Sequence, residues 1–272
     1  MQPVRHILFP VDFSERSTLT LPFVRSMAHR LEASVTLLHV IPPGTAPDPA
    51  ICAGLNRTAT DMFEGVRMAI AVEPGDPATK IIDHAREHHI NMIMMATHGY
   101  GAIRGMLLGS VTASVLADSP CAVWTTSHLR NYDTADEEGI LRVLCAVDRE
   151  PESAAVMQWA SGFSRDLRAG LHLVHAALSI TDCPSLESEQ TLQESVRSSC
   201  RAAVEAIRKS AGVEAPLSVS VGDVEEVLHD EVLRQHASVV VIGLGVLKGK
   251  FGRLRTHAHA IIRRCPCPVI CI

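Results

Sequence analysis

The sequence is poor in aromatic residues: two Trp, two Tyr and six Phe make up 4% of 272 residues. That leaves little material for stacking platforms under nucleic-acid bases or for the aromatic belts of membrane proteins. The core must be aliphatic. No apolar run approaches the roughly 20 residues that a bilayer span requires, so no membrane partner is expected. Positive charge is not in surplus either, the net charge being -5. Divided after Asp136, the first half holds ten basic and thirteen acidic residues, the second fifteen and seventeen. Neither half is polybasic, which argues against nucleic acid as a partner. One local exception is the segment 247–264, where Lys248, Lys250, Arg253, Arg255, Arg263 and Arg264 occur with no acid. The eight cysteines show no spacing that repeats as a disulfide framework. No signal peptide is read in the opening residues, which lead straight into a strand-like run. A reduced, cytoplasmic protein with buried thiols is the expectation. No Ser/His/Asp or Cys/His arrangement and no pair of carboxylates stands out for catalysis.

What is present is a repeat. Residues 5–40 align without a gap on 141–176 at an offset of 136, with Leu8/Leu144, Val11/Val147, Asp12/Asp148, Ser17/Ser153 and His39/His175 identical. The offset grows to 147 at Gly75-Asp76 and Gly222-Asp223, placing an insertion within residues 180–200 of the second copy. It is 146 where Pro120-Cys121 meets Pro266-Cys267. Domain 1 is read as 1–128, a linker as 129–139 and domain 2 as 140–272.

Each copy alternates strand and helix. In the first, a buried strand from His6 ends at Asp12, and a helix from Ser17 to Leu31 carries Leu21, Val24, Ala28 and Leu31 on one face. Strands follow at Ser34 to Ile41, Val66 to Val72, Met92 to Ala96 and Ala122 to Thr125, with helices from Asp76 to about His89 and from Ser110 to Ala117. The inserted part of the second copy predicts a lid-like start and an amphipathic helix from about Ser188 to Ser210, either a shield for the second site or a partner surface. The fold class is α/β, two tandem open sheets, mostly parallel, with helices on both faces.

In such sheets ligands lie beyond the carboxyl ends of the strands, where strand order reverses. Asp12, His39-Val40 and Ala96-Thr97-His98-Gly99 converge there. A glycine-rich stretch follows, and Gly109-Ser110-Val111-Thr112 opens a helix. Gly99 and Gly109 permit close approach of backbone to ligand. Ser110 is placed to cap the helix, and the first-turn N–H groups favour an anion. Asp12 would meet a ribose hydroxyl or a bound divalent cation. The bland alternative is a glycine-rich turn before an ordinary helix.

Asp12 after a strand, then Ala96-x-x-Gly99, nine residues, and Gly109-Ser110 resembles the nucleotide-binding motif of the universal stress protein family. The endings Ser-Pro-Cys-Ala-Val and Cys-Pro-Cys-Pro-Val also resemble that family's last strand. The resemblance spans both copies; Ala96 departs from it by replacing a glycine. It implies an adenine-nucleotide alpha hydrolase-like fold, with the two copies forming a pseudo-twofold intrachain dimer paired along the last strands, and leaves a homodimer open. It further implies ATP in the first copy, contacted by Asp12, Val40 (through its backbone), Ala96, His98, Gly99, Gly109, Ser110, Val111 and Thr112. Mg2+ or Mn2+ would ride on the phosphates. A protein partner and a role in stress survival are implied as well.

The second copy keeps Asp148 and has Gly243 where the first has Ala96. Its next glycine, Gly245, comes one residue early, and Arg255-Thr256 replace Gly-Ser. The long cation predicts at most a simple anion at this site; a solvated basic loop is the alternative. His257, His259, Cys265, Cys267 and Cys271 could ligate a metal, but Cys267 and Cys271 on one strand face read as buried structural thiols. His39 and His175 read as satisfied structural histidines, and His84, His88 and His89 as solvent-facing. Three functions follow: a nucleotide-responsive binding module, at most a slow ATPase or self-phosphorylating protein; a nucleotide-independent, chaperone-like interaction protein; or an enzyme whose base is not visible.

Overall fold

The computed structural model describes residues 3–97, 108–126, 142–177, 186–244 and 253–272, without the side chains of 186–190 and 253–257. These residues form two compact units, one on each side of segment 127–141. The linker read at 129–139 lies outside the described residues.

In the first unit the order is β1 (His6–Pro10), α1 (Glu15–Leu31), β2 (Ser34–Ile41), α2 (Pro49–Met62), β3 (Met68–Pro74), α3 (Pro77–Glu87), β4 (Met92–Ala96), α4 (Ser110–Asp118) and β5 (Ala122–Thr126). The sheet order is β3-β2-β1-β4-β5, with every pairing parallel. Right-handed crossovers put α1 and α2 on one face and α3 and α4 on the other; the members of each pair touch. Central strands buried on both faces explain the unbroken apolar runs: Ile7, Leu8, Phe9, Met92, Ile93 and Met94 are fully buried.

The second unit repeats this order: β6 (Arg142–Ala146), α5 (Ser153–Asp166), β7 (Gly170–Ala177), α6 (Leu186–Ser210), β8 (Leu217–Val221), α7 (Val224–Gln235), β9 (Val239–Ile242), α8 (Arg253–Arg264) and β10 (Val269–Cys271). Strand registers reproduce the sequence offsets: Leu8↔Ile93 in the first unit corresponds to Leu144↔Val240 in the second, and Leu37↔Ile70 to Leu173↔Leu217. The unusual backbone positions recur too. Glu32 and Arg168, His89 and His236, and Gly65 and Gly212 all have left-handed φ. Equivalent turns therefore impose the same conformation whether or not the residue is glycine.

Three local expectations differ. The third strand begins at Met68 rather than Val66, because Val66 N–H closes a turn onto the Phe63 carbonyl and pairing with β2 starts at Met68. Cys267 precedes β10 instead of sharing a strand face with Cys271. In the second unit, α6 has 25 residues against 14 in α2, so the insertion of 11 residues has gone into helix. Its anchors are Cys200 and Val204, both buried. Cys200 packs with Ala177 and Val219 on the sheet. The lid-like start at 180–185 lies outside the described residues.

Candidate functional site

In the first unit the strand order reverses between β1 and β4. Asp12 stands two residues beyond β1, Val40 is at the end of β2, and Ala96 closes β4. Their carbonyl ends are tied together. The Val11 N–H donates to the Leu38 carbonyl at 2.8 Å, and the His39 Nδ1–H donates to the Val11 carbonyl at 2.7 Å. His39 is thus a satisfied structural histidine, as is His175 against Val147 at 2.8 Å.

Asp12 is exposed and held in place. Its Oδ1 accepts from the Ser14 N–H at 3.0 Å and the Ser14 hydroxyl at 2.6 Å; no partner for Oδ2 occurs among the described residues. Between them Phe13 adopts a left-handed φ of 59°, rare for a bulky side chain. Its ring leans on His39 at 4.9 Å between centroids. In the second unit a different serine holds the aspartate. The Ser153 hydroxyl donates to Asp148 at 2.5 Å, whereas its counterpart Ser17 is buried with no hydrogen-bond partner for its hydroxyl.

The start of α4 is docked against the end of β4. The Gly109 N–H donates to the Thr97 carbonyl at 3.0 Å, and the Thr112 hydroxyl to the Ala96 carbonyl at 3.3 Å. Thr112 is buried and acts as a clamp. Gly109, not Ser110, is the N-cap, and no side chain caps the helix. Ser110 is already the first helical residue, so its exposed hydroxyl cannot reach the first-turn amides as an N-cap does. Those amides retain the positive end of the helix dipole. Ala96 is not among the residues with positive φ, so its methyl group causes no backbone strain. Val111 is half-buried on α4 beside Ser110. His98 and Gly99 lie outside the described residues.

At the equivalent place in the second unit, Asp148 follows β6 and Gly243 follows β9. A Cβ at Gly243 would lie 2.7 Å from Val156 Cγ2, so helix α5 comes too close for alanine without movement. Arg255 and Thr256 fall within the first turn of α8, with their side chains outside the description. Gly245 and the lysines 248 and 250 also lie outside the described residues. The carboxyl ends of β6, β7 and β9 line a partly open cavity of about 130 Å3, apolar apart from Asp148, Glu152, Ser153 and His175. Sequence reading missed this cavity; aligning Val40 with Ala176 is the signal that would have found it.

Other candidates fall to structural roles. His84 is buried, not solvent-facing, because its Nδ1 meets Glu73 Oε1 of the preceding strand at 2.6 Å. Its neighbours Ile81, Ile82 and Ala85 form the buried face of α3. Cys265 and Cys267 are buried with their sulfurs 3.7 Å apart. Their mutual hydrogen bond, together with burial, pushes the Cys267 thiol well above its ordinary range. Burial pushes Cys145 up to about 12 and raises Cys271 too, so these thiols are poor nucleophiles. No group of three His, Cys, Asp or Glu suited to a metal occurs among the described residues, nor does a helix long and apolar enough to cross a membrane.

The universal stress protein family profile matches this chain twice, over residues 3–127 and 139–272. A universal stress protein of Synechocystis is 29% identical over 127 residues, covering 46% of this chain and 43% of its own length. One from Methanocaldococcus jannaschii is 27% identical over 146 residues, covering 42% of this chain and 90% of that protein. Among solved structures, a putative universal stress protein from Pseudomonas aeruginosa has a TM-score of 0.73 at 19% identity, covering 99% of this chain and 93% of that one. A universal stress protein from Archaeoglobus fulgidus has a TM-score of 0.64 at 18% identity, covering 98% and 96%. Two profile matches, one per unit, establish that this chain belongs to the universal stress protein family, in a tandem arrangement.

Proposed function

We propose that the first unit binds an adenine nucleotide, ATP, at the switch between β1 and β4, and that occupancy alters what the protein binds in a stress response. The observation that carries this reading is the uncapped start of α4, fixed against the end of β4, which pairs with the strand β1 that leads to Asp12. Three first-turn amides without a side-chain cap, at a helix N-terminus, suit a phosphate group. Asp12 supplies an acceptor for a ribose hydroxyl or a ligand for Mg2+ or Mn2+. Oxygen donors suit either cation, and Asp12 Oδ2 is the oxygen left for the purpose. The proposed contacts are Asp12, Val40, Ala96, Gly109, Ser110 and Val111, with His98 and Gly99 as the family resemblance implies. Thr112 holds the helix in place.

Two measurements on the full-length chain test this. Denaturing freshly purified protein and identifying released small molecules by mass spectrometry should give ATP or ADP. Calorimetry with ATP and Mg2+ should give binding that Gly109→Arg abolishes and Asp12→Asn weakens at least tenfold. ATP binding that survives Gly109→Arg sinks the assignment to this unit. No binding at all favours the nucleotide-independent interaction protein.

A further inference from the structure

The cavity of the second unit differs from the proposed phosphate site in chemistry as well as sequence. It lies at the carboxyl ends of β6, β7 and β9, between α5 on one face and α7 and α8 on the other. Four of its lining positions are smaller than their counterparts in the first unit: Ala146 for Pro10, Val174 for Leu38, Ala176 for Val40 and Gly243 for Ala96. Ile261, in place of Val115, and Val224, in place of Pro77, are larger. Removing side-chain volume from a close-packed interior leaves space unless neighbours collapse into it. Val156 occupies the space at Gly243, its Cγ2 lying 2.7 Å from where a Cβ would sit, but elsewhere about 130 Å3 stays open.

The walls are aliphatic, with Val147, Val156, Leu228 and Ile242 among them. An apolar cavity of about 150 Å3 is large enough to admit benzene. The polar groups are confined and mostly engaged. His175 donates its Nδ1–H to Val147, and burial holds its pKa below the ordinary value, so it is neutral. Ser153 donates to Asp148 Oδ1, and the Glu150 N–H donates to the same oxygen at 2.9 Å. Asp148 Oδ2 has no partner among the described residues, and only acids provide charge in the described lining. Such a lining rejects an anion and accepts a hydrogen-bond donor.

We propose that the second unit binds a compact apolar molecule with a single hydrogen-bond-donating head, a hydroxyl or an ammonium. The body fills the space left by Ala146, Val174 and Ala176, and the head meets Asp148. This site is independent of the nucleotide reading of the first unit.

The test uses the full-length chain and three probes of one shape, benzyl alcohol, benzylamine and benzoate, observed by saturation-transfer NMR and by protein chemical shifts. The alcohol and the amine should bind with a Kd of about 1 mM or tighter, a range open to molecules of eight heavy atoms. Benzoate should bind at least tenfold more weakly. Ala176→Val and, separately, Val174→Leu restore the first unit's residues and fill the cavity; each should weaken benzyl alcohol at least tenfold with the melting temperature unchanged or raised. Asp148→Asn should remove the preference for amine over benzoate, while Gly109→Arg in the first unit should leave binding intact. Absence of binding by the alcohol and the amine overturns the proposal. So does binding unaffected by both cavity-filling variants, or a preference for benzoate, which would return the site to the anion expected from Arg255.

Discussion

At the scale of single residues, the two units solve one problem with different serines. Each holds an aspartate beyond its first strand with one oxygen committed and the other without a partner among the described residues. In the first unit Ser14 does this and also caps α1 through the Ser17 N–H at 3.2 Å. Ser17 is then left buried with an unsatisfied hydroxyl. In the second unit Ser153, its sequence counterpart, bonds Asp148 directly. An unsatisfied buried polar group costs about 1–3 kcal/mol, whereas a satisfied one contributes about 1 kcal/mol. Ser17→Ala should therefore stabilise the protein by about 1 kcal/mol and Ser153→Ala destabilise it by a similar amount. Urea unfolding decides the matter; shifts of the same sign for both variants would refute the distinction. Sequence alone presents Ser17 and Ser153 as an identical pair, and their different fates depend on Ser14, which has Glu150 as its counterpart.

At the scale of elements, the contrast is between α2 and α6. The extra 11 residues of α6 amount to about three helical turns. The anchored part lies at Cys200 and Val204, and the Arg201 and Arg208 side chains donate to the Leu217 and Ala215 carbonyls. Residues 191–199 have no fully buried side chain, and Leu192 is 38% exposed. The extension therefore adds little to the core. Deleting 187–197 shortens the helix to the length of α2 and should lower the melting temperature of the protein by only a few degrees, equivalent to about 1 kcal/mol. Loss of soluble protein, or a fall many times larger, would show that the extension packs on something essential. The amphipathic pattern made this helix legible from sequence to within two residues at its start. Its anchoring by Cys200 and Val204 was not, because the phase of a long helix is set by the strand it lies on.

At the scale of the whole molecule, stability should fall on acidification. Burial holds His6, His172 and His175 below their ordinary values. Above about pH 6.5 all are neutral whether the chain is folded or not. As pH falls below that, the unfolded chain takes up protons that the folded chain refuses, so stability is lost down to the lowered folded values. Glu231 adds to the loss further down: burial raises its pKa, but hydrogen bonds from Arg234, Ser218 and Gln235 outweigh this and hold it below the usual range. The urea midpoint should be highest above pH 7 and clearly lower at pH 5.5; a midpoint that rises between those values would contradict the burial of these groups.

What the sequence determined by itself was the plan. Buried parallel strands need continuous apolar runs and the crossover helices need one apolar face, so His6 to Asp12, Ser34 to Ile41 and Met92 to Ala96 were readable, and their repetition at offsets of 136 and 147 gave two units of one topology. Gly109 and Asp12 were readable as candidate positions because one opens a helix and the other follows a strand at the edge where such sheets bind ligands. Tertiary structure alone decided which polar groups were spoken for. His84 meets Glu73 across the gap between helix and strand, Thr112 is spent on the Ala96 carbonyl, and Ser110 yields the cap position to Gly109. It alone showed that Ala146 on β6 and Val174 and Ala176 on β7 open one cavity. Sequence spacing reports what lies along one element; hydrogen bonds and empty volume arise between elements, where the partners are fixed only by the fold.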